Sequence, residues 1–202
     1  MKTTDLNKRL IITPMLDEKE QIKDCAIDVR LGNQFIVTQK TSFAEMDVSN
    51  KDEIKKRIGQ YQRKIVIGLR EPFVLHPHQL VLGSTMEYIA FPNCLSGYVI
   101  GRSSWGRLGL IIATATGVNP GYKGCLTLEL ENLGEVPIVL YPGIRIAQLI
   151  LHTVKGEGRY QSRYRFPVGP EFSRAYEDKE IEFLGPFEVK IPNKTTRETF
   201  RK

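Results

Sequence analysis

Side chains that could do chemistry crowd together between Gly101 and Glu131. The stretch begins with Gly101, Arg102, Ser103 and Ser104, with Arg107 following shortly after. A glycine lets backbone approach a ligand closely, and two hydroxyls beside two guanidiniums suit a polyanion such as a phosphate chain. The same residues would equally make a polar loop with solvated arginines, and the short motif alone leaves both readings open. Further on, Asn119-Pro120-Gly121 has proline to fix φ and glycine to accept a positive φ, so a turn is expected and the chain can double back as a hairpin. Beyond the turn, Cys125, Thr127, Glu129 and Glu131 alternate with Leu126, Leu128 and Leu130. In a strand this puts the leucines on a core face and the acids on a face that is either wet or part of a site.

Taken in order, these motifs resemble the deoxycytidine triphosphate deaminase branch of the dUTPase superfamily. Gly101-Arg102-Ser103-Ser104, Arg107, Leu108-Gly109-Leu110, Thr114-Ala115, Pro120-Gly121-Tyr122, Gly124 and Leu128-Glu129 follow that family's order and spacing. Upstream, Ala26-Ile27-Asp28-Val29-Arg30-Leu31-Gly32 is similar to its V-D-L-R-L-G strand. Downstream, Pro142-Gly143-Ile144-Arg145-Ile146-Ala147-Gln148-Leu149 is similar to its P-G-x-x-I-x-Q-L segment, and Arg163-Tyr164, Gly169-Pro170 and Ser173-Arg174 to its C-terminal tail. The resemblance runs from about Asp24 to Tyr176.

The resemblance implies hydrolytic deamination of dCTP to dUTP and ammonia, without zinc, at sites shared between the subunits of a homotrimer. Glu129 matches the catalytic glutamate, a general base that would take a proton from water as its oxygen attacks C4 of cytosine. Such a base works best with a raised pKa, which partial burial supplies. Ser103 and Arg107 match the residues beside that base, and Ala115 a position whose backbone carbonyl binds the water or the amino group. Arg102 and Ser104 fall to the phosphates and Tyr122 to the deoxyribose. Asn119, Thr127, Tyr160, Arg163 and Tyr164 complete the expected nucleotide site. Mg²⁺ is expected on the phosphates, not in a protein cage. The ligands are then deoxycytidine and deoxyuridine nucleotides. The H-x-E and P-C-x-x-C constellation that holds zinc in other deaminases does not occur in the chain, so a protein carboxylate has to activate the water. His76, His78 and His152 are expected to be structural.

Four positions depart from the family pattern. Asn119 stands where an aspartate accepts from the sugar 3′-hydroxyl and serves diphosphatase members as a base; an amide can still accept but cannot take a proton. Gly117 replaces a larger residue, Pro167 a glutamine near the phosphates, and Arg163 a lysine. Two alternatives to the deaminase therefore stand: a nucleotide-binding trimer of the same fold with impaired catalysis, and a dUTP diphosphatase, against which Asn119 counts.

The elements that must position these residues read as mainly β. Expected strands are Ala26 to Arg30, Gln34 to Thr38, Lys64 to Leu69, Gln79 to Phe91, Leu95 to Ile100, Leu110 to Ala115, Cys125 to Glu131, Pro137 to Leu140 and Arg145 to His152. Short strands broken by Gly, Pro and Asn favour an all-β sandwich or barrel, and the resemblance narrows this to the dUTPase-like β-clip type. Lys51 to Tyr61 and Ser103 to Leu108 are expected as short helices. Residues 1–176 suffice for one dUTPase-like nucleotide-binding domain, with 177–202 as an extension that Ile181, Phe183, Phe187 and Ile191 could dock.

Composition agrees with an ordinary globular chain: 202 residues, 41% hydrophobic and 26% charged. No apolar run reaches the length of a membrane span and the first residues lack a signal-peptide core, so a cytoplasmic protein is expected. Cys25, Cys94 and Cys125 are too few and too scattered for a disulfide framework or a metal knuckle, and are expected as buried thiols. The net charge of +6 is spread over Lys51 to Lys64, Arg159 to Arg174 and Lys194 to Lys202, without a recognisable nucleic-acid motif. Local arginines serve a nucleotide as well as they would a nucleic acid, and no nucleic-acid partner is expected.

Overall fold

The computed structural model describes residues 9–113, 117–155 and 163–180. In chain order the elements are β1 (Ile11–Thr13), α1 (Glu18–Gln21), β2 (Ala26–Arg30), β3 (Gln34–Thr38), α2 (Lys51–Tyr61), β4 (Gln62–Val66), β5 (Phe73–Leu75) and β6 (Leu80–Ala90). There follow β7 (Leu95–Gly101), α3 (Ser103–Gly106), β8 (Leu110–Ile112), β9 (Gly117–Val118), β10 (Lys123–Asn132), β11 (Ile138–Leu140) and β12 (Arg145–Thr153), then a 3₁₀ turn at Ala175–Glu177. Strands pair antiparallel in a six-stranded sheet, β4-β3-β6-β10-β8 with β1 also on β6, a four-stranded sheet, β2-β12-β7-β9, and the pair β11-β5. The mainly β architecture with a few short helices is the one expected. Among the described residues no helix is long and apolar enough to cross a membrane.

The sheets close on side chains that alternate inward. Val29, Leu31, Phe35, Leu128, Leu130, Ile146 and Leu149 are fully or almost fully withdrawn from solvent, and Phe35 stacks on Phe73 with ring centroids 4.2 Å apart. Burying side chains of this size is worth about 1.5–3 kcal/mol each and is the main drive for the fold.

Helix α2 forms where Asn50 caps it, the Asn50 side chain accepting from Glu53 N, with Asp52 and Glu53 in the first turn and Ile54 and Ile58 buried one turn apart. It stops at Tyr61 because Gln62 turns extended and pairs with Thr38. β4 therefore begins before the expected Lys64 and ends at Val66, short of Leu69.

Three local features differ from the sequence reading. The turn at Asn119–Tyr122 forms, with Tyr122 N donating to Asn119 O at 3.1 Å and Gly121 at φ 80°, yet it does not close a hairpin. Its arms enter different sheets, β9 pairing with β7 and β10 with β6 and β8, so the turn carries the chain across the sandwich. On β10, Thr127, Glu129 and Glu131 are half-buried and Leu126, Leu128 and Leu130 buried, but Cys125 is buried too. An irregularity shifts the register from Cys125 opposite Tyr88 to Thr127 opposite Ser84, which breaks the alternation; Thr85 Oγ1 bridges the gap by accepting from Leu126 N at 2.9 Å. Finally, Cys25 and Cys94 are exposed, so only Cys125 is the expected buried thiol; the other two sit just outside β2 and β7, beyond the reach of the core.

Candidate active site

A cavity of about 470 Å³ opens between the β6–β10 face, the crossing turn and the C-terminal segment. That is the size of a small-molecule pocket. Asn119, Tyr122, Thr127, Glu129 and Tyr164, all expected in the nucleotide site, line it together. Their elements explain the convergence. β10 projects Thr127 and Glu129 from one face, and the crossing turn sets Asn119 and Tyr122 beside the strand's start. Tyr122 is locked: its hydroxyl donates to Cys125 O at 2.7 Å and its carbonyl accepts from Phe91 N at 2.8 Å. The phenol oxygen thus has a structural task, while the residue belongs to the cavity lining.

Glu129 sits on β10 opposite Leu82, with its own carbonyl accepting from Ala113 N at 3.0 Å. Its carboxylate has no ion-pair partner among the described residues, unlike an ordinary strand acid paired with lysine. Partial burial holds its pKa above the usual carboxylate value. A carboxyl so placed resists ionisation and binds a proton readily, which suits a group that must take one from water.

The C-terminal segment covers the cavity from the other side through three anchors on or beside the sheet. Pro167 O accepts from Cys125 N at 2.8 Å, Glu171 N donates to Thr127 Oγ1 at 3.3 Å, and Gln34 Nε2 donates to Val168 O at 3.3 Å. Pro167 packs so tightly that a Cβ on Gly124, whose φ is 152°, would lie 2.3 Å from its Cδ. The proline that departs from the family pattern is thus a packing residue here. Tyr164 accepts from Arg174 N at 3.0 Å and carries the Arg174 guanidinium over its ring at 5.5 Å.

Other expected residues stand elsewhere. Ser103, Ser104 and Arg107 are exposed on and after α3 and do not line the cavity. Arg102 does not line it either: its NH1 donates to Arg145 O at 3.1 Å and its Nε lies 3.6 Å from Asp28 Oδ2. Arg163 is exposed and paired with Asp178 at 3.1 Å. Ala115 and Tyr160 lie outside the described residues, as do Ile181, Phe183, Phe187 and Ile191.

Two polar clusters were not assigned a role from sequence. Asp28, 1% exposed, accepts from Gln148 Nε2 at 3.0 Å and from Arg145 NH1 at 3.3 Å, so a buried carboxylate organises the base of the Arg102 loop. Its signal was an acid alternating with apolar residues in a strand. Glu87 is fully buried, accepting from Gln21 Nε2 at 2.8 Å and Arg30 N at 2.9 Å; burial raises its pKa against those bonds. Burial, and then the nearby Glu87 charge, pushes the Cys125 thiol up to about 11, which makes it a poor nucleophile at neutral pH. Gln62 and Glu171 also line the cavity and were not singled out from sequence. Among the described residues no three His, Cys, Asp or Glu side chains gather as metal ligands.

A family model described as dCTP deaminase-like matches residues 2–154. The chain belongs to the dCTP deaminase-like family. A dCTP deaminase of Halorubrum lacusprofundi is 39% identical over 179 residues, covering 85% of this chain and 86% of that protein. A dUMP-forming dCTP deaminase of Methanobrevibacter smithii is 34% identical over 181 residues, covering 86% of this chain and 91% of the other. In fold the chain is similar to the crystal structure of 2′-deoxycytidine 5′-triphosphate deaminase from Agrobacterium tumefaciens, with a TM-score of 0.52 at 23% identity. That match covers 70% of this chain and 41% of the other, so this chain spans less than half of that protein.

Proposed function

We propose that the cavity binds dCTP and that Glu129 drives hydrolytic deamination to dUTP and ammonia. The observation that carries this is Glu129 itself: an acid without an ion-pair partner among the described residues, its pKa raised by burial, in one cavity with Asn119 and Tyr122. Water gives a proton to the Glu129 carboxylate while its oxygen bonds to C4 of cytosine, and the proton passes to the ring nitrogen. A second transfer to the amino group lets the C4–N bond break, so that ammonia leaves and the carbonyl of uracil forms. Each transfer uses one carboxyl alternately as base and acid. Thr127, two residues away on the same face, and the ring of Tyr122 would fix the nucleoside against the strand.

The exposed positions of Ser103, Ser104 and Arg107 support a site completed by a second copy of the chain. Tyr98, Ile100, Leu108 and Ile111 are large apolar side chains exposed around that loop, as a subunit contact requires. A homotrimer would bring one copy's Ser103 and Arg107 to the neighbour's Glu129, with Arg102 and Ser104 toward the phosphates. Mg²⁺ would be carried by phosphate oxygens and water.

The product has two readings. A relative named dUMP-forming points to phosphate cleavage as well, whereas Asn119 supplies no carboxylate to orient a second water. We favour dUTP. Assaying ammonia, uracil nucleotide and pyrophosphate in one reaction with dCTP separates the two, because equal yields of ammonia and pyrophosphate would establish dUMP formation.

A further inference from the structure

The two acids that alternate along β10 have different surroundings. Glu129 stands opposite Leu82 of β6, whereas Glu131 stands opposite Leu80 of β6 and Ile111 of β8. Directly opposed residues of antiparallel strands share a face, with Cβ atoms roughly 5 Å apart. Leu80, Glu131 and Ile111 therefore form a row across the sheet, two residues and about 7 Å of strand beyond Glu129. Leu80 and Ile111 are 42% and 37% exposed, and β8 ends the sheet. Leu108 and Leu133, both exposed, add apolar surface at the same end of β8 and β10, where Leu133 N donates to Gly109 O at 2.9 Å. The face that carries Glu129 thus continues onto an apolar surface with one carboxylate in its middle. Such a surface suits a partner that brings apolar contact and a positive charge.

The chain itself supplies that charge. On the reading proposed above, on which this inference rests, a second copy brings Ser103 to Glu129. Arg107 lies one helical turn further on, its N donating to Ser103 O at 3.1 Å. Four residues of helix rise about 6 Å, which matches the step of about 7 Å from Glu129 to Glu131. Arg102 is held by Asp28 and Arg145 O. Arg107 is exposed, and neither it nor Glu131 has an ion-pair partner among the described residues.

We propose that the row Leu80, Glu131 and Ile111 is the surface on which a second copy of the chain docks its α3 loop, with Glu131 pairing the incoming Arg107. Glu131 is then a positioning residue. It holds one side of a planar fork of N–H donors and leaves the other side for the site at Glu129.

The test reads assembly and not turnover, as the concentration at which the full-length protein dissociates in sedimentation velocity. Glu131→Lys sets a like charge against Arg107 and should raise that concentration at least about 10-fold, as should Arg107→Glu. Joined in one chain, the two changes restore opposite charges at every contact, so the double variant should assemble more tightly than either single one. Glu45→Lys makes the same charge change on the loop before α2, which leads into β4 at the opposite edge of the sheet, and should leave assembly unaltered. Should Glu131→Lys not fold, Glu131→Gln, Arg107→Gln and their combination decide in its place. One neutral change already removes the pair, so the second should cost nothing more. Unchanged assembly in the Glu131 variants overturns the proposal, and so does a double variant whose loss is the sum of the single losses. An equal loss in Glu45→Lys also overturns it, since net charge would then be the cause. A wild-type protein that is monomeric at micromolar concentration would instead overturn the reading of a shared site, and this inference with it.

Discussion

Two side chains carry the proposed chemistry in different ways, Glu129 by accepting a proton and Asn119 by being unable to. Changing Glu129 to Gln keeps shape and hydrogen bonding but removes proton acceptance. Turnover of dCTP should drop by at least about 10²-fold, the low end for a general base, while nucleotide affinity is retained; unchanged turnover would mean that the wrong residue has been named. Because burial raises the Glu129 pKa, the acid limb of the pH–rate profile should lie above the ordinary glutamate range. The same shift has a sign for stability. A carboxyl with a raised folded pKa holds its proton longer in the folded than in the unfolded chain, so its contribution declines as pH rises through the unfolded value toward the folded one. Glu129→Gln should remove that decline, so its melting temperature should gain on wild type as the pH rises above the ordinary glutamate range. A variant that loses ground over this range would contradict the burial of the carboxylate.

At the scale of elements, the site depends on β10 being straddled by the crossing turn on one side and the C-terminal segment on the other. Gly124 sits where the segment docks, and any Cβ there collides with Pro167. Gly124→Ala should therefore lift the segment off β10, destabilise the protein by about 1–3 kcal/mol as overpacking does, and expose the chain near 163–180 to protease. Wild-type melting and cleavage patterns would show that the segment is not held there. These elements also mark what was legible beforehand. Alternation gave away β10, β12 and β2 because one face is apolar, and the cap at Asn50 with Ile54 and Ile58 gave away α2. Strands of two or three residues, such as β9 and β5, have too few positions to show a period. The crossing turn looked like a hairpin because local chemistry sets the bend and not which sheet each arm joins. Gln62 and Glu171 were invisible because only the order of strands in the sheet and the return of the C-terminal segment set them in one cavity with Glu129.

At the scale of the whole molecule, one copy holds Glu129 in a cavity and Ser103 and Arg107 on its surface. The resemblance named all three as neighbours, and a single chain does not bring them together. If a second copy does so, Glu129→Gln and Arg107→Ala should each be inactive alone and regain activity when mixed and reassembled, because some interfaces then combine two intact halves. No recovery on mixing, or a monomer by light scattering at micromolar concentration, would place the complete site within one chain. The proposed reaction itself is open to direct observation. Incubating the wild-type protein with dCTP and magnesium, and following ammonia, uracil nucleotide and pyrophosphate together, should give ammonia and dUTP in equal amounts with no pyrophosphate. Bound but unchanged dCTP, or pyrophosphate without ammonia, would contradict it.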